Sequence, residues 1–164
     1  MSKVLQTIQS KYQKSSTVSQ ITSALTISET KLHVKGLIGS SMSFVIESIF
    51  KQQEESFLLV TDDKEAAAYY LNDLEQLVSG DHVLFFPGSY RNPYQLEEVD
   101  NASVLLRSEV LNRINSRKKP AIIVTYPEAI FEKVVTKKEL EKNTLKIAVG
   151  DQVSIDFINE VLFE

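Results

Sequence analysis

No cysteine occurs among the 164 residues. Disulfides, thiolate zinc sites and cysteine nucleophiles are therefore excluded. This is compatible with a reducing compartment, and a cytoplasmic location is the expectation. Histidine is scarce. His33 and His82 stand far apart, without the spacing of a metal-ligand pair. No window reaches the roughly 18 consecutive apolar residues needed to cross a bilayer, so no membrane role is expected. The opening stretch "MSKVLQTIQSKYQK" lacks the continuous apolar run and small-residue cleavage site of a secretory signal. Excess basic charge is absent too. The formal net charge is −4, so no global field draws the chain to nucleic acid, and any such contact must rest on a local patch. There is no internal repeat and no low-complexity tract.

What is present reads as an ordinary globular chain, 43% hydrophobic and 24% charged. Val4, Leu5, Ile8 and Tyr12 recur at helical spacing, which predicts a helix over residues 3 to 14. "KSSTVSQ", 14 to 20, reads as a connector, with a short helix around 19 to 25. "KLHVKGL", 31 to 37, alternates with period two and reads as a strand. A helix is expected over 41 to 53. "FLLVT", 57 to 61, is a continuous apolar run, as in a strand buried on both faces. "KEAAAYYLNDLEQLV" is the next helix, with Asp62 or Asp63 able to cap it. "HVLFFP" is a strand ended by Pro87. The stretch 87 to 98 reads as a loop leading to a helix over 102 to 117. "AIIVT" is a fourth buried strand, "PEAIFEKV" a short helix opened by Pro127, and "LKIAV", 145 to 149, a last strand. "VGDQVSIDFINEVLFE" begins an amphipathic helix and stops, so Glu164 is expected to lie inside a longer protein. Strands separated by helices of this length predict an α/β fold with a mostly parallel sheet and helices on both faces. Ligands in such sheets bind beyond the carboxyl ends of the strands.

The segment after the first predicted strand is Gly36-Leu37-Ile38-Gly39-Ser40-Ser41-Met42-Ser43. It parallels the phosphate-binding pattern G-x-x-x-x-G-K-[ST]. Gly36 and Ser43 keep their places, Ser41 replaces the second glycine and Met42 replaces the lysine. That lysine supplies the positive charge at the β- and γ-phosphates. A thioether offers no charge and no strong donor. The ordinary reading is a vestigial or plain strand-to-helix turn; the sharper one is a working nucleotide site. Asp62 and Asp63 could hold magnesium, but helix capping is the simpler role. Tyr90, Arg91 and Tyr94 interleave aromatics with a cation, a pattern that can stack on bases; Glu97, Glu98 and Asp100 follow at once. Arg117, Lys118 and Lys119 form the densest basic cluster, at a helix carboxyl end where cations suit the dipole. Ser40, Ser41 and Ser43 lack the surroundings of a nucleophile elbow.

Five stretches in order, "HVKGLIGSSMSFVIESI", "FLLVTDDKEAAAYYLNDLE", "VLFFPGSYRNPY", "VLLRSEVLNRINSRKKPAIIVTYPEAI" and "KIAVGDQVSIDFINEVL", resemble the N-terminal region of the transcription-repair coupling factors (Mfd). That region is similar in turn to the damage-recognition protein UvrB. The resemblance covers residues 30 to 164. It implies a RecA-like, P-loop-type domain over 30–150 and the start of a following domain over 151–164; before them, 1–29 reads from its own pattern as an N-terminal helical segment and connector. In UvrB the phosphate loop is intact; in Mfd it is degenerate, as at Ser41 and Met42 here. UvrB also carries a long aromatic hairpin for DNA after the equivalent of the "FFP" strand, and the 87–100 stretch is too short for one. The resemblance further implies no catalysis and no cofactor in this region. ATP and magnesium serve motor domains further along an ATP-dependent DNA translocase. UvrA binds through the following domain, and RNA polymerase and DNA through the parent protein. The alternative is a UvrB-like domain that binds nucleotide or DNA itself.

Overall fold

The computed structural model describes residues 3–78, 81–92, 95–142, 145 and 147–163; for 90–92, 95–99, 141 and 160–163 the description is of backbone alone. Two compact units divide the chain, Met1–Lys133 and Val134–Glu164.

The first unit is α/β. Its sheet has three parallel strands, β1 (Phe57–Val60), β2 (Val83–Phe85) and β5 (Ile122–Thr125), in the order β1-β5-β2. The middle strand is buried at every position. Its residues alternate between two cores. Ile122 and Val124 face a cluster with Phe50, Leu74 and Leu77. Ile123 faces a second cluster with Leu84 and Val110. Each fully buried aliphatic side chain of this kind stabilises by roughly 1.5–3 kcal/mol.

The first face carries α3 (Ser41–Gln53) and α4 (Lys64–Leu77). Asp63 caps α4, its carboxylate accepting the Ala66 N–H at 2.7 Å, so the capping role holds for Asp63. Helix α3 ends at Glu54, whose left-handed φ of 53° turns the chain into β1. Outside these lie α1 (Lys3–Gln13) and α2 (Ser16–Leu25). Tyr12 stacks on Phe44 at 5.1 Å between centroids. Val18 packs with Val45 and Ile49. The opposite face carries α5 (Asn101–Ser116), capped by Asp100, which accepts from Ala102 N–H and the Ser103 hydroxyl. The short α6 (Pro127–Phe131) follows β5.

In this first unit four expectations change. The connector at 14–20 is mostly helix, because α2 starts at Ser16 and buries Val18. Residues 31–37 form no strand. Leu32 and Val34 are exposed, Gly36 has φ +83, and only Leu37 packs, against the α2–α3 cluster. Alternation makes a strand only where a neighbour offers a free edge, and a left-handed glycine breaks the extended run. Strand β1 is buried on one face only; Leu58 and Val60 are exposed. The stretch 87–98, read as a loop, contains a short antiparallel hairpin of β3 (Tyr90–Asn92) and β4 (Gln95–Val99), with Tyr90 opposite Val99.

The second unit holds α7 (Lys137–Lys142) and α8 (Ile155–Phe163). Thr136 and Glu139 make a reciprocal capping box at the start of α7. The Ser154 hydroxyl accepts from Phe157 N–H at the start of α8. The strand expected at 145–149 is not formed by its described residues: Leu145, Ile147 and Val149 are exposed, and Ala148 closes a tight turn with Asp151. No helix among the described residues is long and apolar enough to cross a membrane.

Candidate functional site

The loop before α3 is held by its own hydroxyls. Ile38 N–H donates to Ser41 Oγ at 2.7 Å, and Ser41 N–H returns to Ile38 C=O at 3.2 Å. Gly36 and Gly39 take left-handed φ values of 83° and 55°, and a Cβ at either would meet nothing within 4 Å. The chain therefore needs these glycines for its turn, not for close approach to a neighbour. Ser40 lies 3.4 Å from the Tyr69 hydroxyl. Met42 is half-buried. Ser43 is fully buried, and its hydroxyl donates to Asp73 on α4 at 3.2 Å. In a phosphate loop that hydroxyl meets magnesium and the backbone N–H groups converge on the phosphates. Here the Ser43 hydroxyl and the Ile38 N–H both have protein partners.

Beyond the carboxyl ends of β2 and β5 lies a second, more elaborate cluster, centred on Arg107 of α5. Its guanidinium donates to Pro87 C=O at 2.7 Å, Ala129 C=O at 3.1 Å and Glu132 C=O at 3.4 Å. It lies 3.7 Å from the Glu132 carboxylate and 4.2 Å above the Phe86 ring. Glu132 in turn accepts from Ser89 N–H at 2.7 Å and from the Ser89 hydroxyl. Gly88 N–H donates to Tyr126 Oη at 2.9 Å, and Thr125 Oγ1 to Phe86 C=O at 2.8 Å. These bonds tie residues 86–89, which lead into the β3–β4 hairpin, to α5, β5 and the segment after α6. The cation is buried, and each of its two terminal nitrogens has a protein acceptor.

The described residues among those proposed for nucleic acid fall into two sets. Tyr94 lies outside the described residues, and for Tyr90 and Arg91 the description is of backbone alone. Those two follow the carboxyl end of β2. Arg117, Lys118 and Lys119 precede the amino end of β5. Because β2 and β5 are parallel, the two sets sit at opposite ends of the sheet. Arg117 closes α5 with a left-handed φ of 49°. Lys119 and Arg113 both reach the Asp81 carboxylate, at 3.5 and 2.9 Å. The Asp81 carboxyl is held below its ordinary value, first by a backbone hydrogen bond, then by the charge of Lys119, with Arg113 adding to it. Asp62 is exposed, and no group of three or more potential metal ligands occurs among the described residues.

Sequence reasoning passed over Arg107, Glu132 and Glu47. Glu47 is fully buried on α3; it accepts from Gln9 and Gln13 of α1 at 3.2 and 3.1 Å and pairs with Lys51. A signal existed for two of them. Arg107 shares its helical face with Ser103, Val110 and Ile114, and Glu47 shares its face with Ser43 and Phe50, at spacings of three, four and seven. A charge in the apolar phase of a helix marks an enclosed, partnered group.

Comparison with known proteins gives a distant match. The chain is 22% identical over 121 residues to a transcription-repair-coupling factor of Rickettsia bellii (strain RML369-C), covering 74% of this chain and 11% of that protein. The same identity and coverage hold for the transcription-repair-coupling factor of Rickettsia prowazekii (strain Madrid E). The chain thus spans about a tenth of the length of these relatives. No family model matches, and no solved structure matches significantly.

Proposed function

We propose that this chain is a non-catalytic scaffold: a RecA-like α/β domain with a vestigial phosphate loop, belonging to the N-terminal region of a transcription-repair coupling factor. The distant similarity to two such factors supports the family reading, as does the order of the five resembling stretches. One observation carries the loss of catalysis. Met42 replaces the lysine, and the Ser43 hydroxyl, which should face the metal, is buried against Asp73. A triphosphate would meet no cation at that corner and would have to break two internal hydrogen bonds. On this reading ATP and magnesium belong to motor domains elsewhere in the parent protein, a DNA translocase that displaces stalled RNA polymerase. UvrA is recruited through the domain that follows.

Titration with labelled ATP and magnesium tests the reading. No saturation is expected up to about 1 mM, a level worth only about 4 kcal/mol of binding; micromolar affinity rejects it. Met42→Lys is expected to release no phosphate above background, because carboxylates for metal and water would still be lacking. For the DNA-binding alternative, a gel shift at low salt is expected to show no tight, salt-sensitive complex, since the two candidate patches lie at opposite sheet ends.

A further inference from the structure

The sheet leaves one strip of apolar surface uncovered. On the α5 face, Ile123 of the middle strand is enclosed with Val110. Its register partner on β1 is Leu58, and the next residue of the same face, Val60, pairs with Thr125. Parallel partners share a face. Yet Leu58 is 62% exposed and Val60 47%, against 6% for Ile123. Helix α5 therefore covers β5 and β2 but not β1. At the amino end of this strip a groove of about 580 Å³ opens, floored by Ile114, Pro120, Ala121 and Ile123. That volume is in the range of sites that hold a ligand of substance.

The mouth of the groove is electrically divided. Glu54 and Glu55 line the side before β1; Arg117 and Lys119 line the side before β5. Among the described residues neither Glu54, Glu55 nor Arg117 forms an ion pair. Glu54 and Arg117 both take left-handed backbone, each ending the helix that leads to its side of the groove. The carboxyl end of α3 adds its negative dipole beside Glu54.

We infer that this strip and groove dock an amphipathic helix of a partner polypeptide, laid beside α5. Its aliphatic side chains cover Leu58, Val60 and Ile114; a basic side chain meets Glu54 and Glu55, and an acidic one meets Arg117. The four residues of β1 span about 13 Å, room for roughly two and a half helical turns. A helix at the usual ~8–10 Å from α5 lies over β1. A second copy of this chain is a poorer occupant, because a two-fold contact would set concave groove against concave groove. The inference is independent of the repair assignment.

The test uses the whole chain and a fluorescein-labelled leucine–alanine helix of about three turns, bearing one lysine and one glutamate on successive turns at one end. Anisotropy is expected to show saturable binding below about 100 µM. Leu58→Asp weakens it at least tenfold. Arg117→Glu weakens it several-fold, and a peptide with lysine in place of its glutamate restores binding to that variant. Circular dichroism checks that both variants, altered at exposed positions, keep the fold. Absence of binding to about 1 mM, or indifference to both substitutions, overturns the inference. A dimer of the chain alone that Leu58→Asp dissolves gives the strip to a second copy, and also overturns it.

Discussion

Replacing Arg107 by alanine perturbs the molecule where its polar interior is most tightly coupled. The side chains of Arg107 and Glu132 are only 7% and 17% exposed, so the pair belongs to the buried regime. Removing the guanidinium strips Pro87 C=O and Ala129 C=O of donors at 2.7 and 3.1 Å. An enclosed acceptor left unpaired costs about 1–3 kcal/mol. The contact with the Phe86 ring, at 4.2 Å, is lost as well, worth about 2 kcal/mol when desolvated. The Glu132 carboxylate loses its cation but keeps both Ser89 donors, which limits the damage. These terms overlap and do not add. The expected total is about 3–5 kcal/mol, the range for breaking one side of a buried ion pair. Urea denaturation reads this directly, and the melting temperature falls by about 10 °C or more, at roughly 3 °C per kcal/mol. Arg107→Lys keeps the charge without the planar fork and should cost about half as much. Hydrogen exchange at the Ser89 amide should accelerate, since its acceptor Glu132 loses the cation beside it. A loss below about 1 kcal/mol for Arg107→Ala would refute the claim that this cation organises the hairpin root.

Other positions give independent checks. Gln9→Ala removes the amide that joins α1 to Glu47 and to Leu77 C=O; a loss of about 1–3 kcal/mol in urea unfolding is expected, with α1 amides exchanging faster. Asp63→Ala deletes the α4 cap and should cost about 1 kcal/mol, read from the same curves. Asp81 makes an acid-side prediction. Its folded carboxyl titrates below the 3.8 of an unperturbed aspartate, so the ionised form favours the fold. That contribution is present above the unfolded value and is lost as pH falls through the lower, folded one. Asp81→Asn should therefore narrow the drop in unfolding midpoint below about pH 4 and leave the slope near neutrality unchanged.

Much of the fold was legible in the residues themselves. Helix α3 was expected over the span it occupies, because Val45, Ile49 and Phe50 recur at helical spacing and the flanking residues end the pattern. The run Ala121 to Thr125 read as a buried strand since it has no polar alternation, and it is the enclosed middle of the sheet. A cap at Asp62 or Asp63 followed from acidic residues standing just before an apolar helical pattern, and the fold gives it to Asp63. These are local facts, set by side-chain period and backbone preference within a few residues.

Partnership across distance was not legible. Residues 31–37 and 145–149 carry strand-like alternation, but a ladder needs a second edge, and no local property states whether one will be there. The apolar run of β1 promised burial on both faces, yet only the placement of α5 decides which strands of that face are covered. The degeneracy of the loop at Ser41 and Met42 could be read letter by letter. That Ser43 turns to Asp73, thirty positions away, could not. Sequence alone determined where the chain coils, extends and turns, because those choices are made against neighbouring residues and solvent. Tertiary structure alone decided which charges are enclosed, which edges stay open and which hydroxyls are already engaged, because each depends on a partner that only folding brings within reach.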